Sequence, residues 1–278
     1  MKRLVFAMAV LLAALSAASG CVGRAGESKA LRVGMECAYA PYNWTQSTPD
    51  NGAVQIKNSN DYAYGYDVMM AKYLADKLER DLEIHKMDWD SLPTAVQAGT
   101  IDCAIAGQSI TDDRKETVDF TTPYYYASIV CLVDGGSEFA SATGISGLSG
   151  ATCTSQLNTV WYDNCLPQIS GAGILPAMDS APAMLVALTS GKCDLVVTDM
   201  PTAMAAVSVY PQLKLLDFTG GDDNFVVSEQ EINIGVSLKK GNAELLNALN
   251  AALAELSTGD FEKMMNDAIK VQPLSDEE

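Results

Sequence analysis

This chain carries an echo of itself. Ala95, Gly99, Asp102 and Gly107 mark a helix, its closing turn, a strand start and a strand end. Ala187, Gly191, Asp194 and Asp199 repeat the series, with the same offsets of four, three and five residues. Buried-strand patterns alternate with helical ones around each copy. The first runs through "LRVGME" (31–36), "DVMMAKYLADKLER" (67–80), "LEIHKM", "LPTAVQAG" and "IDCAIAG". After "PYYYASIVCLV" the pattern restarts with "GATCTSQ" (150–156), "TVWYDNCL", "APAMLVALTSG" and "CDLVVTD". Such alternation predicts an α/β fold with mostly parallel sheets flanked by helices. Built twice within 278 residues, it predicts two lobes, each long enough to bury a core.

In open α/β sheets, ligands bind beyond the carboxyl ends of the strands. Those ends carry Glu36, the Gly107–Ser109 turn, Gln156 and Asp199, and facing lobes would bring them to one cleft. Beside them runs "QSITDDRKETVDFTTPYY" (108–125), where Thr111 reads as a helix N-cap followed by Asp112 and Asp113. Arg114 then falls in the first turn, where the helix field disfavours a cation. Two readings stand: Asp112, Asp113 or Asp119 neutralises Arg114 at the surface, or Arg114 and the helix terminus act together on an anion. On the second reading, Arg114 grips a carboxylate through two parallel N–H bonds with help from Ser109. Asp199 and the Gly107 carbonyl suit an ammonium. Together these groups fit the zwitterionic head of an α-amino acid.

The first 20 residues read as a targeting segment: basic Lys2 and Arg3, apolar Leu4 to Ala14, then small residues before Cys21. Such a segment resembles a bacterial lipoprotein signal, with Cys21 as the lipid-carrying terminus of a chain held outside the cytoplasm. No later apolar run approaches the ~18 residues of a membrane span. With 18 Lys and Arg against 35 Asp and Glu, the chain repels nucleic acid and anionic lipid. Membrane contact is expected through the N-terminal lipid only. No C-x-x-C pair occurs and the only histidine is His85, read as a strand residue, so no metal site and no cofactor are expected. Cys103, Cys131 and Cys153 lie in apolar runs, where a small buried thiol is the simplest reading, while any disulfide pairing among these three, Cys37, Cys165 and Cys193 stays open.

The segment "AGQSITDDRKETVDFTTPYY" resembles the signature of the polar amino acid-binding proteins of ABC importers, the solute-binding family 3. "VGMECAYAPYNW", "GYDVMMAKYLADKL", "WDSLPTAVQAGTIDCAIAG", "DLVVTDMPTA" and "IGVSLKKGNAELLNALNAALAEL" follow in the family's order. The resemblance implies a type II periplasmic binding protein-like fold, with two lobes joined by two hinge segments. It implies a tether over 21–30, a first lobe over 31–127, a second over 128–226 and a return to the first over 227–278. By position it casts Arg114 and Ser109 as carboxylate-binding, with Thr159 assisting from the second lobe, and Gly107 and Asp199 as ammonium-binding. Tyr39 and Trp89 match the aromatic pair that sandwiches the side chain, and Glu36 and Gln156 the residues that read its end. Asn158 stands where the family usually has glycine. Tyr42 and Trp44 suit packing and ligand contact equally and are not counted in the site.

The function implied is capture of a free L-amino acid for an ABC permease, by a monomer and without catalysis. A carboxylate at Glu36 beside two aromatic plates suits arginine first, then lysine or histidine; a hydrogen-bonded Glu36 with Gln156 suits glutamine. Two alternatives share the fold: a periplasmic cyclohexadienyl dehydratase-like lyase using Glu36 as general acid, and a ligand sensor without transport.

Overall fold

In the computed structural model of the chain, which describes residues 30–272, Asp102 and Asp194 perform one local task in two separate sheets. Each opens a strand and turns its carboxylate onto the backbone of the strand beside it. Asp102 Oδ2 accepts from Arg32 N at 2.9 Å, and Asp194 Oδ2 from Thr152 N at 2.8 Å. The helices before them also end alike. Gly99 and Gly191 sit at φ +74° and +72°, a left-handed conformation that glycine takes without a Cβ penalty. Thr100 and Lys192 then donate back to the carbonyls of Ala95 and Ala187. The echo is a repeated piece of structure. The signal segment 1–20, Cys21 and the "SDEE" tail lie outside the described residues.

The first sheet holds β1 (Ala30–Met35), β2 (Asp81–Lys86), β3 (Cys103–Ala104) and β4 (Val118–Phe120), joined by a return strand, Ser237–Lys239. Its order is β2-β1-β3-return-β4. The second holds β5 (Ile129–Asp134), β6 (Thr152–Thr154), β7 (Gly173–Ile174), β8 (Leu195–Asp199) and β9 (Leu213–Leu216), in the order β7-β6-β8-β5-β9. In each sheet one strand runs against both neighbours: the return strand in the first, β5 in the second. The other four strands of each share a direction, so the sheets are mostly parallel as the alternation predicts. Each reversed strand follows a crossing from the other lobe. The two crossings, Tyr125–Tyr126 and Asn233–Ile234, pair antiparallel with each other.

Helices α1 (Tyr66–Lys77) and α2 (Leu92–Ala98) belong to the first lobe, and α3 (Asp112–Lys115) is a single turn after its cleft loop. On α1, Val68, Ala71, Leu74 and Ala75 recur at helical spacing and are buried, each large side chain contributing about 1.5–3 kcal/mol. The second lobe has α4 (Ala181–Thr189) and α5 (Met200–Val209). "TVWYDNCL" is less regular than expected: a π-helical turn at Trp161–Cys165 runs into a 3-10 turn at Leu166–Gln168. "IDCAIAG" pairs as a strand only at Cys103–Ala104, although Ile101 to Gly107 is nearly all buried. Cys37, Cys103, Cys131, Cys153, Cys165 and Cys193 are buried free thiols. His85 lies on β2, with Nε2 3.4 Å from Glu83. No helix among the described residues is long and apolar enough to cross a membrane.

Candidate functional site

The loop after β3 is fixed to the hinge before it reaches the cleft. Ile110 N donates to Asn233 O at 2.9 Å, and Gly235 N donates to Gln108 O at 3.0 Å. Ser109 is thereby held beside the crossing that returns the chain to the first lobe. Thr111 caps α3 as expected, its hydroxyl accepting from Arg114 N at 3.3 Å. The guanidinium turns away from the helix: Nη1 donates to Ser109 O and Nη2 to Asn158 O in the second lobe, both at 2.9 Å. Its carbon lies 5.3 Å over the Trp89 ring, within cation–π range. Two of the three acidic neighbours are engaged elsewhere, Asp112 with Lys115 at 3.3 Å and Asp119 with Gly241 N at 2.7 Å. Burial pushes the guanidinium down to about 10, with Asp163 acting weakly against it.

A narrow, nearly closed cavity of about 10 Å³ between the lobes is lined by Glu36, Tyr39, Trp89, Gly107, Ser109, Arg114, Gln156 and Thr159, joined by Val160 and Trp161. Asp199 lies directly behind it, accepting the Tyr39 hydroxyl. The nine residues singled out from the sequence therefore converge from both lobes. Asp199 ends β8 and caps α5, taking Thr202 N at 2.9 Å on one oxygen and Thr202 Oγ1 at 3.1 Å on the other. Its burial raises the carboxyl against these hydrogen bonds, the first of which comes from Tyr39. A cation approaching Asp199 would share it with that phenol.

Glu36, in the same lining, is 8% exposed. Gln156 Nε2 approaches its two oxygens at 3.4 and 3.5 Å, the long edge of hydrogen bonding. Burial pushes the carboxyl up to about 7; the Gln156 amide opposes this, and Asp88 and Asp90 add to it. Thr159 donates to Gln156 O at 2.7 Å, which folds the "QLNT" turn on itself. The Tyr39 ring stacks on Tyr42, 4.8 Å between centroids and 14° between planes. Tyr42 is fully buried and Trp44 packs edge-on to Tyr64, both as packing residues. Gly107 has φ +63°, and a Cβ there would come within 2.7 Å of the Tyr39 ring.

Sequence reasoning missed the support beneath these groups. Asp67, fully buried at the start of α1, accepts from Tyr124 Oη and Asn43 Nδ2, both at 2.7 Å. The Tyr124 hydroxyl in turn takes Gly107 N at 3.2 Å, and Asn43 Oδ1 takes Cys37 N at 2.7 Å. One carboxylate thus anchors the Gly107 turn and the backbone next to Glu36. The available signal was an acidic residue inside an otherwise apolar first turn, "GYDVMM". Trp161, a wall of the cavity, was legible only as a helix residue. No cluster of His, Cys, Asp and Glu suited to a metal occurs among the described residues.

The sequence profile of the bacterial extracellular solute-binding proteins, family 3, matches residues 31–269. The chain is similar to the L-cystine-binding protein TcyJ of Escherichia coli K12, 29% identical over 85% of this chain and 81% of the relative. Among solved structures it is similar to an amino acid ABC transporter substrate-binding protein, AbpA of Streptococcus pneumoniae, bound to L-arginine. That match has a TM-score of 0.73 and 26% identity, covering 90% of this chain and 97% of that one. It is also similar to an ancestral amino acid-binding protein described as a precursor of cyclohexadienyl dehydratase. There the TM-score is 0.70 and the identity 26%, over 87% and 96% of the two chains.

Proposed function

Because this chain belongs to the bacterial extracellular solute-binding proteins, family 3, we propose that it captures a free, basic L-amino acid between its lobes and delivers it to an ABC permease. The carrying observation is the charge arrangement around one interlobe cavity, with Arg114 and Glu36 both in its lining and Asp199 behind Tyr39. Arg114 with Ser109 and Thr159 receives the ligand carboxylate, and Asp199 with the Gly107 carbonyl receives the ammonium. Trp89 and Tyr39 flank the stem, while Glu36 and Gln156 meet its tip. A ligand that contacts both lobes favours the closed state over the open one, which couples capture to closure.

Arginine leads, then lysine or histidine, because a buried carboxylate gains most from a cation beside it. Glutamine fits a protonated Glu36. The lobe boundaries we adopt are 31–127, 128–226 and 227–278, supported by the membership of the two sheets and the paired crossings. We place the protein outside the cytoplasm, as a monomer anchored through lipidated Cys21. Binding without turnover is our reading: the clamp for an amino acid head is complete, whereas the lyase alternative leans on Glu36 alone. Mass spectrometry of the small molecules released from denatured, purified protein, followed by calorimetry, tests this. A basic amino acid recovered in near-stoichiometric amount is expected. Recovery of no amino acid, with no calorimetric binding across the twenty, would overturn it.

A further inference from the structure

We infer that Asn158 and Asp90 form an interlobe latch that holds the closed cleft around its ligand, an inference resting on the amino acid-binding reading above. Asn158 sits at φ +56°, in the left-handed region that asparagine tolerates better than most side chains. Two of its atoms reach the first lobe from that position. Its Nδ2 donates to Asp90 Oδ1 at 2.7 Å, and its carbonyl accepts Arg114 Nη2 at 2.9 Å. Asp90 adjoins Trp89 in one 3-10 turn, Trp89–Ser91, and the Arg114 guanidinium lies over the Trp89 ring. The contacts form a closed ring from Asn158 through Asp90, Trp89 and Arg114 back to Asn158.

Two further bonds join the lobes inside the cleft, Tyr39 to Asp199 and Gln156 to Glu36. Both use groups that the ligand itself must engage. The Asn158–Asp90 bond does not: Asn158 lines the outer mouth beside Asp163 and Asn164, and only its neighbours line the inner cavity. It therefore persists when the cleft is filled and adds to closure without contacting the ligand. Glycine would keep the same backbone conformation and the carbonyl bond to Arg114, but it would lack the amide. Asn158 is thus a positioning residue: it raises affinity by favouring the closed state and slows escape, because the ligand leaves through the open one.

The test uses the purified chain with L-arginine as probe, read by calorimetry and stopped-flow fluorescence. Asn158→Gly should weaken binding by about three- to tenfold, less than a buried charge-assisted bond would give, since both side chains are exposed. The loss should lie in the dissociation rate. Asn158→Asp sets two carboxylates against each other and should weaken binding further, less so in high salt. Adding Asp90→Asn to Asn158→Asp restores the pair with its ends exchanged and should recover affinity to within about twofold of wild type. A purely structural defect would not be rescued in this way. Wild-type affinity in Asn158→Gly, or no recovery in the exchanged pair, overturns the latch. Small-angle scattering without added amino acid separates the two readings. If no amino acid binds wild type, the functional reading fails, while a more expanded Asn158→Gly still supports the latch and unchanged dimensions overturn it.

Discussion

Glu36 gives the sharpest handle on what this cleft holds. Burial places its carboxyl near 7 instead of in the usual carboxylate range, with the Gln156 amide only partly offsetting that cost. A ligand with a cationic tip needs the ionised form. Between pH 8 and pH 6 the ionised fraction of such a group falls from about nine tenths to about one tenth, so arginine affinity should drop about tenfold. The sign follows from linkage: the free protein holds the proton below about 7, and a cation must displace it. Arginine binding at pH 6 should then release close to one proton, seen as a dependence of the calorimetric heat on the buffer's ionisation enthalpy. Glutamine needs no ionised carboxylate, and its affinity should stay within about threefold over the same range. Asp199 is also raised by burial, but in the proposed function it meets the head common to every amino acid, so the difference between the two ligands isolates Glu36. Glu36→Gln should flatten the arginine profile and weaken arginine at pH 8 by about 1.5–3 kcal/mol, the range for a hydrogen bond to a charged group. Glutamine should lose less, and added salt should change the gap little, because a closed cleft is screened less than a surface. Arginine affinity that is flat from pH 6 to pH 8 without proton release, or equal losses for both ligands in Glu36→Gln, would rule out a cationic tip at Glu36.

Three further outcomes are expected. Arg114→Ala leaves a ligand carboxylate unpaired and should cost about 3–5 kcal/mol of binding, two to four decades in Kd; a Kd within about threefold of wild type would remove Arg114 from the clamp. Asp199→Asn keeps an N-cap on α5 but removes the charge, so titrations should show a loss of about 1.5–3 kcal/mol with the thermal midpoint nearly unchanged. Des-amino analogues that bind wild type as well as the amino acid would contradict that role. Asp67, pushed up to about 7 by burial despite bonds from Tyr124 and Asn43, holds a proton in the folded state that the unfolded chain gives up near 4. Its contribution to stability therefore falls as pH rises through that window, and denaturant titrations should show Asp67→Asn gaining roughly 2–4 kcal/mol on wild type between pH 4 and pH 8. A gap independent of pH would count against it.

The lobes were legible because their punctuation is local. Gly99 and Gly191 close helices, Asp102 and Asp194 cap the neighbouring strands, and each act is completed within one sheet. The eight residues that line the cavity and Asp199 behind it were found because strand ends and a family signature mark positions along the chain. Their pairings were not legible. Tyr39 and Asp199 are 160 residues apart, and Glu36 and Gln156 are 120 apart; periodicity reports which face an element buries in its own lobe and says nothing about how far two lobes close. The irregular turn at Trp161–Cys165 was missed for a related reason. Its apolar spacing suits a helix, but the chain must also bring Val160 and Trp161 to the cleft.

Arg114 shows how a local misfit can carry functional meaning. In the sequence it is a cation set against the field of a helix start, with three aspartates close enough to excuse it. In the fold α3 is only four residues long and its cap already takes the Arg114 amide, so the helix terminus adds little to an anion site. Among the described residues no carboxylate bonds the guanidinium; it rests on two carbonyls and an aromatic face. Those neutral partners orient the charge without cancelling it, and burial makes the uncompensated charge costly, as the lowered pKa records. A cost of this kind is kept where something outside the chain repays it. A carboxylate arriving between the lobes would repay it, in a bidentate geometry that lysine could not reproduce.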